Sequence, residues 1–333
     1  MGLFADSGAN ARLRARRSRL RGPRELRLLA ASGSLGALAA ALGAEAARES
    51  DAVAAALLAG LLDDYDALRR HYPRGEPLFS AVLRLHEVEN LKLAWRARSR
   101  GDPPGDWRRL WTPLGRLGTL SLAAWREAAS LRDAAKDAAG TPFGPVVADA
   151  LRSRESDPKA AELDFDRDAW AAVADEARRL PSREKGAADL ALAFVRERDY
   201  DLLRRGSARN LTPGAAVAAT VVLRQEERGE TLRSLAAWKP SEGPISARLP
   251  WRLARRLPPV SDWDALGTAL ARARRDRCRR ALRLYPFRLA PPLAYLLLRR
   301  EEVRCLSALA RRIARADASD GFERLLAGSN LET

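Results

Sequence analysis

Apolar residues recur along this chain with the period of helices, and hardly anywhere with the period of two that marks strands. Val82, Leu85, Val88, Leu91 and Trp95 stand at spacings of three, three, three and four, which puts them on one stripe of a helix. Leu296, Val303, Leu306, Ala310 and Ile313 repeat the pattern later. Ala, Leu, Arg and Glu dominate these stretches, and such residues lose little on entering a helix. Ala216–Leu223 is the best strand candidate, although its alanines weaken it. Pro and Gly gather at Tyr72–Pro77, Gly101–Gly105, Lys239–Pro250 and Pro258–Pro259, which are the predicted breaks. The pattern predicts an all-α protein.

A longer period lies over the short one. The stretch Arg84–Arg98 (RLHEVENLKLAWRAR) is echoed by Arg196–Arg209 (RERDYDLLRRGSAR) and by Arg299–Arg311 (RREEVRCLSALAR). Aligning Leu91, Leu202 and Leu306 gives offsets of 111 and 104 residues, and puts Asn90, Asp201 and Cys305 at one equivalent position. Upstream, Leu62-Asp-Asp-Tyr-Asp-Ala-Leu precedes the first copy and Leu163-Asp-Phe-Asp-Arg-Asp-Ala-Trp the second. Small-residue helices over Ser34–Ala47 and Thr119–Ala139 come before those. Three helical units are predicted, over residues 1–115, 116–225 and 226–333.

The run Glu87-Val-Glu-Asn-Leu-Lys-Leu-Ala-Trp-Arg-Ala-Arg98 resembles the E-x-D/E-N-L-K-x-x-x-R-A helix of the C-type subunits of A/V-type (vacuolar/archaeal-type) rotary ATPases, whose eukaryotic V-ATPase counterpart is the d-type subunit. Asn10–Leu20 resembles the family's opening arginine-rich helix, and Leu163–Trp170 the LD-x-x-Y/W start of its second unit. Pro286–Arg304 resembles the third-unit signature P-x-AYLL-x-x-E-E-x-R-N, with Cys305 where the family has Asn. The resemblance implies a funnel-shaped helical body with pseudo-three-fold symmetry, peripheral on the cytoplasmic face of the membrane. It implies a non-catalytic central-stalk subunit with no cofactor, which couples the central axle (D and F type subunits) to the proteolipid ring. Glu87, Asn90, Arg96, Asp201, Glu302, Cys305 and Arg311 are the repeat-motif positions. Glu87, Arg96 and Arg311 are candidates to bind neighbouring helices together.

Charge adds contact surfaces to this picture. The net charge is +16, carried by 54 Arg and only five Lys, a skew that a GC-rich codon pool produces whatever the function. The excess sits in Arg12–Arg27 (net +7) and Ser246–Ala316 (net +13). Arg274, Arg275, Arg279 and Arg280 are the candidate membrane-side or partner contact. The longest apolar runs, Ala52–Leu62 and Leu289–Leu298, are too short to span a bilayer. No apolar stretch follows Arg12 to make a signal peptide. The expectation is a cytoplasmic, metal-free protein, since two Cys and two His lack any zinc spacing.

Catalytic motifs fail one by one. No glycine-rich phosphate loop occurs, and Lys185-Gly186 has the order reversed. His86-Glu87-Val-Glu-Asn90 begins like a zinc-protease helix but has Asn90 in place of the second His. Asp164-Phe-Asp166-Arg-Asp168 copies half a calcium loop, with Ala169 for the turn Gly, and reads instead as acids at a helix N-terminus. Trp251 and Trp263, beside Arg252, Arg255 and Arg256, are the base-stacking candidates of the alternative reading, an Arg-rich nucleic-acid-binding protein. A helical adaptor that has lost the ATPase role is the other alternative.

Overall fold

The computed structural model describes residues 3–101, 111–153, 157–207, 212–283 and 288–314, apart from short breaks at 19, 22, 32–33, 45–46 and 48. Among these residues the regular structure is helical throughout, as the periodicity predicts. The helices are α1 (Leu3–Arg17), α2 (Pro23–Ala31), α3 (Leu35–Ala41), α4 (Ser50–His71), α5 (Glu76–Arg100), α6 (Leu122–Glu127), α7 (Leu131–Ala138) and α8 (Gly144–Ser153). They continue as α9 (Pro158–Arg179), α10 (Lys185–Ser207), α11 (Pro213–Ala218), α12 (Gln225–Ala236), α13 (Trp251–Ala254), α14 (Trp263–Ala281) and α15 (Ala290–Ala314).

Local chemistry explains where the shorter helices start. Ser34, Ser121, Ser130 and Thr212 each accept a backbone N–H from three residues on, and so cap α3, α6, α7 and α11. Asp262 does the same for α14, with Oδ1 2.7 Å from the Ala265 N–H. The predicted strand Ala216–Leu223 is not formed: Thr212 and Pro213 start α11, which takes in Ala216, and Val221–Leu223 form a bend. Alanines and a cap outweigh two adjacent valines there. The predicted small-residue helix over Thr119–Ala139 is two short ones, α6 and α7, each begun by its own serine.

The long helices share one grammar. α4 has 22 residues, the 3₁₀ turn Pro73–Gly75 follows, and α5 runs for 25. α9 again has 22 residues, the 3₁₀ turn Ser182–Glu184 follows, and α10 runs for 23. α14 and α15, of 19 and 25 residues, form a third pair. Asp164, Asp166 and Asp168, expected at a helix start, lie inside α9, because the helix already begins at Pro158.

Packing gathers the chain into two compact units. One is Pro77–Glu176; the other combines the described residues of Met1–Glu76 and Ala177–Thr333. These bounds differ from the three spans set by the repeat. In the first unit, α5 buries Leu78, Val82, Leu85, Val88, Leu91 and Trp95, and Trp95 meets Phe165 of α9 edge-on at 5.1 Å. In the two-segment unit, α4 and α15 form the most extensive helix pair. α4 buries Val53, Leu57, Leu61, Tyr65 and Leu68, and α15 buries Leu293, Leu296, Leu297, Leu306 and Leu309. Each such side chain contributes about 1.5–3 kcal/mol. A second cluster joins Tyr200 and Leu203 of α10 to Leu235, Ile245, Leu249, Leu253, Leu266 and Leu270.

Candidate functional site

Each long motif helix carries buried polar side chains in an apolar stripe, and in each case they hold backbone from another segment. In the Pro77–Glu176 unit, Asn90 brackets the backbone of one residue. Its Nδ2 donates to the Thr112 carbonyl and its Oδ1 accepts the Thr112 N–H, both at 2.7 Å. One turn earlier, Glu87 Oε1 accepts the N–H groups of Thr119 and, at 2.8 Å, Leu120. Arg98 donates to the carbonyls of Trp125 and Arg126. A segment without long helices of its own is thus tied to α5 at three points.

α10 does the same in the two-segment unit. Asp199, wholly buried, accepts the N–H groups of Val221 at 3.0 Å and Val222 at 2.8 Å, and Arg198 donates to the Ala219 carbonyl at 2.6 Å. Burial pushes the Asp199 carboxyl above its ordinary range, opposed by those two N–H donors and Arg198. Asn90 reaches 22 residues ahead, and so does Asp199. The equivalent of Asn90 is therefore Asp199. Asp201, which the sequence alignment put there, is part-exposed and pairs with Arg204 at 2.8 Å, one turn along its own helix. The matching apolar residue is Tyr200 in place of Leu202; its hydroxyl donates to Glu227.

The third motif helix closes on the start of the chain. Glu302 Oε1 accepts the backbone N–H of Arg21 at 3.1 Å, and Oε2 accepts from Arg299 at 2.6 Å. Next to it, Asp64 of α4 accepts from Tyr295 Oη at 2.6 Å and from Arg16. Arg12 reaches His71 at 2.8 Å. With Asp199 as reference, Glu87-x-x-Asn90 corresponds to Arg196-x-x-Asp199 and Glu302-x-x-Cys305, at offsets of 109 and 106 residues. Glu87 and Glu302 both accept backbone N–H groups, while Cys305 is buried.

The remaining expected positions fall in different places. Arg96 makes a two-point ion pair with Glu162 of α9 at 2.8 and 2.6 Å, and Lys92 pairs with Asp166 at 3.1 Å. Arg311 lies 3.5 Å from Asp51 of α4. The arginines of α14 do not share one open face. Arg275 is 7 % exposed, and burial lowers its pKa to about 10 against the pull of Glu301. Arg274 lies over the Phe194 ring at 5.7 Å, Arg279 is half-buried and Arg280 is exposed. A cluster read from sequence as contact surface is in part interior, because α14 turns Arg275 and Cys278 to the same side.

Two positions escaped sequence reasoning altogether. Glu184, in the 3₁₀ turn before α10, accepts the Leu289 N–H at 2.8 Å across 105 residues. Glu197 is buried and accepts from Arg277 at 2.8 Å. The Pro-x-x-Glu spacing shared by Pro73–Glu76 and Pro181–Glu184 was the available signal for the first. Among the described residues no group of three or more His, Cys, Asp or Glu stands ready to hold a metal ion, and no helix is long and apolar enough to cross a membrane.

Two comparisons bear on this architecture. A search of curated proteins finds no match to the chain. A family model described as ATP synthase (C/AC39) subunit matches residues 9–197, more than half of the chain, and that stretch contains the Asn90 and Glu87 motif, the α4–α5 pair and most of the α9–α10 pair. The chain belongs to the C/AC39 family of A/V-type ATP synthase subunits.

Proposed function

We propose that the protein is a non-catalytic central-stalk subunit that couples the axle of an A/V-type ATPase to its membrane proteolipid ring. The observation that carries the reading is the family match over residues 9–197, which includes the motif helix. The proposal extends to a pseudo-three-fold body of three helical units at the cytoplasmic face of the membrane, with D and F type axle subunits as partners.

The packing supports such a part mechanically. A coupling that transmits torque must not shear, and interiors packed to crystal density deform little. Loops here are fastened to helices through buried side chains: Asn90 on Thr112, Asp199 on Val221 and Val222, Glu184 on Leu289. Buried hydrogen bonds of this kind are costly to break without replacement.

The test is affinity purification of the tagged full chain from detergent-solubilised membranes, followed by mass spectrometry of the intact complex. The ring proteolipid and the D and F type subunits are expected to come with it. Recovery of the chain without ring or axle subunits would overturn the reading.

A further inference from the structure

Of the large apolar side chains among the described residues, only Leu28 and Trp251 stand well out into solvent, and Trp251 is 64 % exposed. It opens the short helix α13 directly after Pro250, and its indole has two guanidinium groups against it, Arg255 at 4.8 Å and Arg252 at 5.8 Å from the ring centroid. Beside it lies a cleft of about 550 Å³ within the two-segment unit.

The walls of that cleft carry both signs of charge. Arg252 and Arg256 stand on the α13 side and Arg196 on α10, while Glu226 and Glu230, one turn apart and exposed, come from α12 with Arg224 just ahead of them. Arg255, Arg277 and Arg280 crowd Arg256, with Glu197 as the counter-charge. Glu197 also lines the cleft. Only 2 % of it is exposed; Oε1 is held by Arg277, and Oε2 has no hydrogen-bond partner.

These features fit one class of occupant. A phosphate backbone would be drawn to the arginines but would meet Glu226 and Glu230 on the opposite wall. It would also find a single open ring to stack on, because Trp263 is half-buried and edge-on to Trp238 at 5.7 Å. An anionic membrane surface meets the same glutamates. A protein segment can carry both signs within a few residues, and exposed Trp with flanking Arg is the composition that dominates binding energy at protein interfaces.

We propose that the cleft beside Trp251 docks a segment of a partner protein. That segment presents carboxylates to Arg252, Arg255 and Arg256, a Lys or Arg to Glu226 and Glu230, and an apolar side chain to the indole of Trp251. Complementary charge sets the register of such a contact, and the buried aromatic supplies affinity.

The experiment is site-specific photo-crosslinking of the full chain in its own cells, with p-benzoylphenylalanine in place of Trp251 and peptide mapping of the product. The expected product joins position 251 to one protein segment that carries both acidic and basic residues. Arg255→Glu with Arg256→Glu, both exposed positions, should cut the yield about thirtyfold, the size of a hot-spot loss. Reversing the acidic residues of the crosslinked segment should restore most of it. If the charge-reversed chain loses helical circular dichroism, Arg255→Gln with Arg256→Gln gives the same reading. Crosslinks to nucleic acid or lipid, no intermolecular product, or a yield indifferent to charge reversal would each overturn the proposal. Recovery of ring and axle subunits with the unmodified chain is a separate measurement, so failure here leaves the stalk reading standing, and the reverse.

Discussion

At position 90 an amide offers the Thr112 backbone N–H and carbonyl an acceptor and a donor, whereas at position 199 a carboxylate offers Val221 and Val222 acceptors only. Exchanging the two chemistries is therefore not symmetric. Asn90→Asp removes the donor and sets a buried negative charge against the Thr112 carbonyl, while Asp199→Asn keeps an oxygen that can accept. Asn90→Asp should cost about 1–3 kcal/mol or more and Asp199→Asn clearly less, measured as the shift in urea unfolding midpoint. Glu197 gives a pH-dependent counterpart. Burial holds its carboxyl above the ordinary range despite Arg277, so the folded chain keeps a proton that the unfolded chain has released. That contribution is complete below the free glutamate pKa of about 4.3 and is lost as pH rises through the folded value. Glu197→Gln escapes the loss, so its thermal midpoint should gain on the wild type as pH rises above about 4. A gap that stays flat across this range would show that Glu197 is not desolvated. The sequence made the motif legible but not its register in α10: Leu202 matches Leu91 better than Tyr200 does, and an apolar stripe alone tolerates a two-residue slip. What settles the register is a bond to backbone 22 residues away, which periodicity does not encode.

At the scale of elements, existence and type were legible almost everywhere, because a helix pattern over twenty residues outweighs local exceptions. Contact was less so. The Gly206–Ser207 pair closes the second copy of the motif. In the structure Gly206 is where α10 meets α11: a Cβ there would stand 2.6 Å from that of Ala216. Gly206→Ala should therefore destabilise by about 1–3 kcal/mol through overpacking, although alanine is the better helix former. Ala216→Gly in the same chain should recover part of it. A gain in unfolding midpoint for Gly206→Ala alone would mean that the two helices do not approach as described. The arginines of α14 make a related point. A run rich in Arg reads as surface, yet helix geometry turns every third or fourth residue inward, and Arg275 is the one so placed.

For the whole molecule, the uneven charge was legible and the assembly of the units was not. The three spans follow the repeat, whereas compact packing joins the described parts of Met1–Glu76 to those of Ala177–Thr333 through partners far apart in sequence: Arg21 with Glu302, Asp64 with Tyr295, Asp51 with Arg311. Those pairings turn on single polar residues, and a single residue leaves no pattern. Arg16→Ala combined with Arg21→Ala should lower stability by about 1–3 kcal/mol, since Asp64 and Glu302 keep Tyr295 and Arg299 as remaining partners. The same pair of substitutions placed at the exposed Arg132 and Arg183 should leave the midpoint nearly unchanged.

The bond between Arg21 and Glu302 also has a consequence in time. A ribosome adds roughly 5–20 residues each second. The two groups lie 281 residues apart, so Arg21 leaves the ribosome on the order of 15–60 s before Glu302 exists. Through that interval Arg21, one of eight arginines between Arg12 and Arg27, is newborn chain whose acceptor on α15 has not yet been made, in a cell full of ribosomal RNA. The Pro77–Glu176 unit, whose bonds from Asn90 to Thr112, Glu87 to Leu120 and Arg96 to Glu162 lie within its own hundred residues, has these partners at hand meanwhile. Biogenesis of this protein is then a matter of keeping Arg21 unclaimed until α15 emerges to receive it.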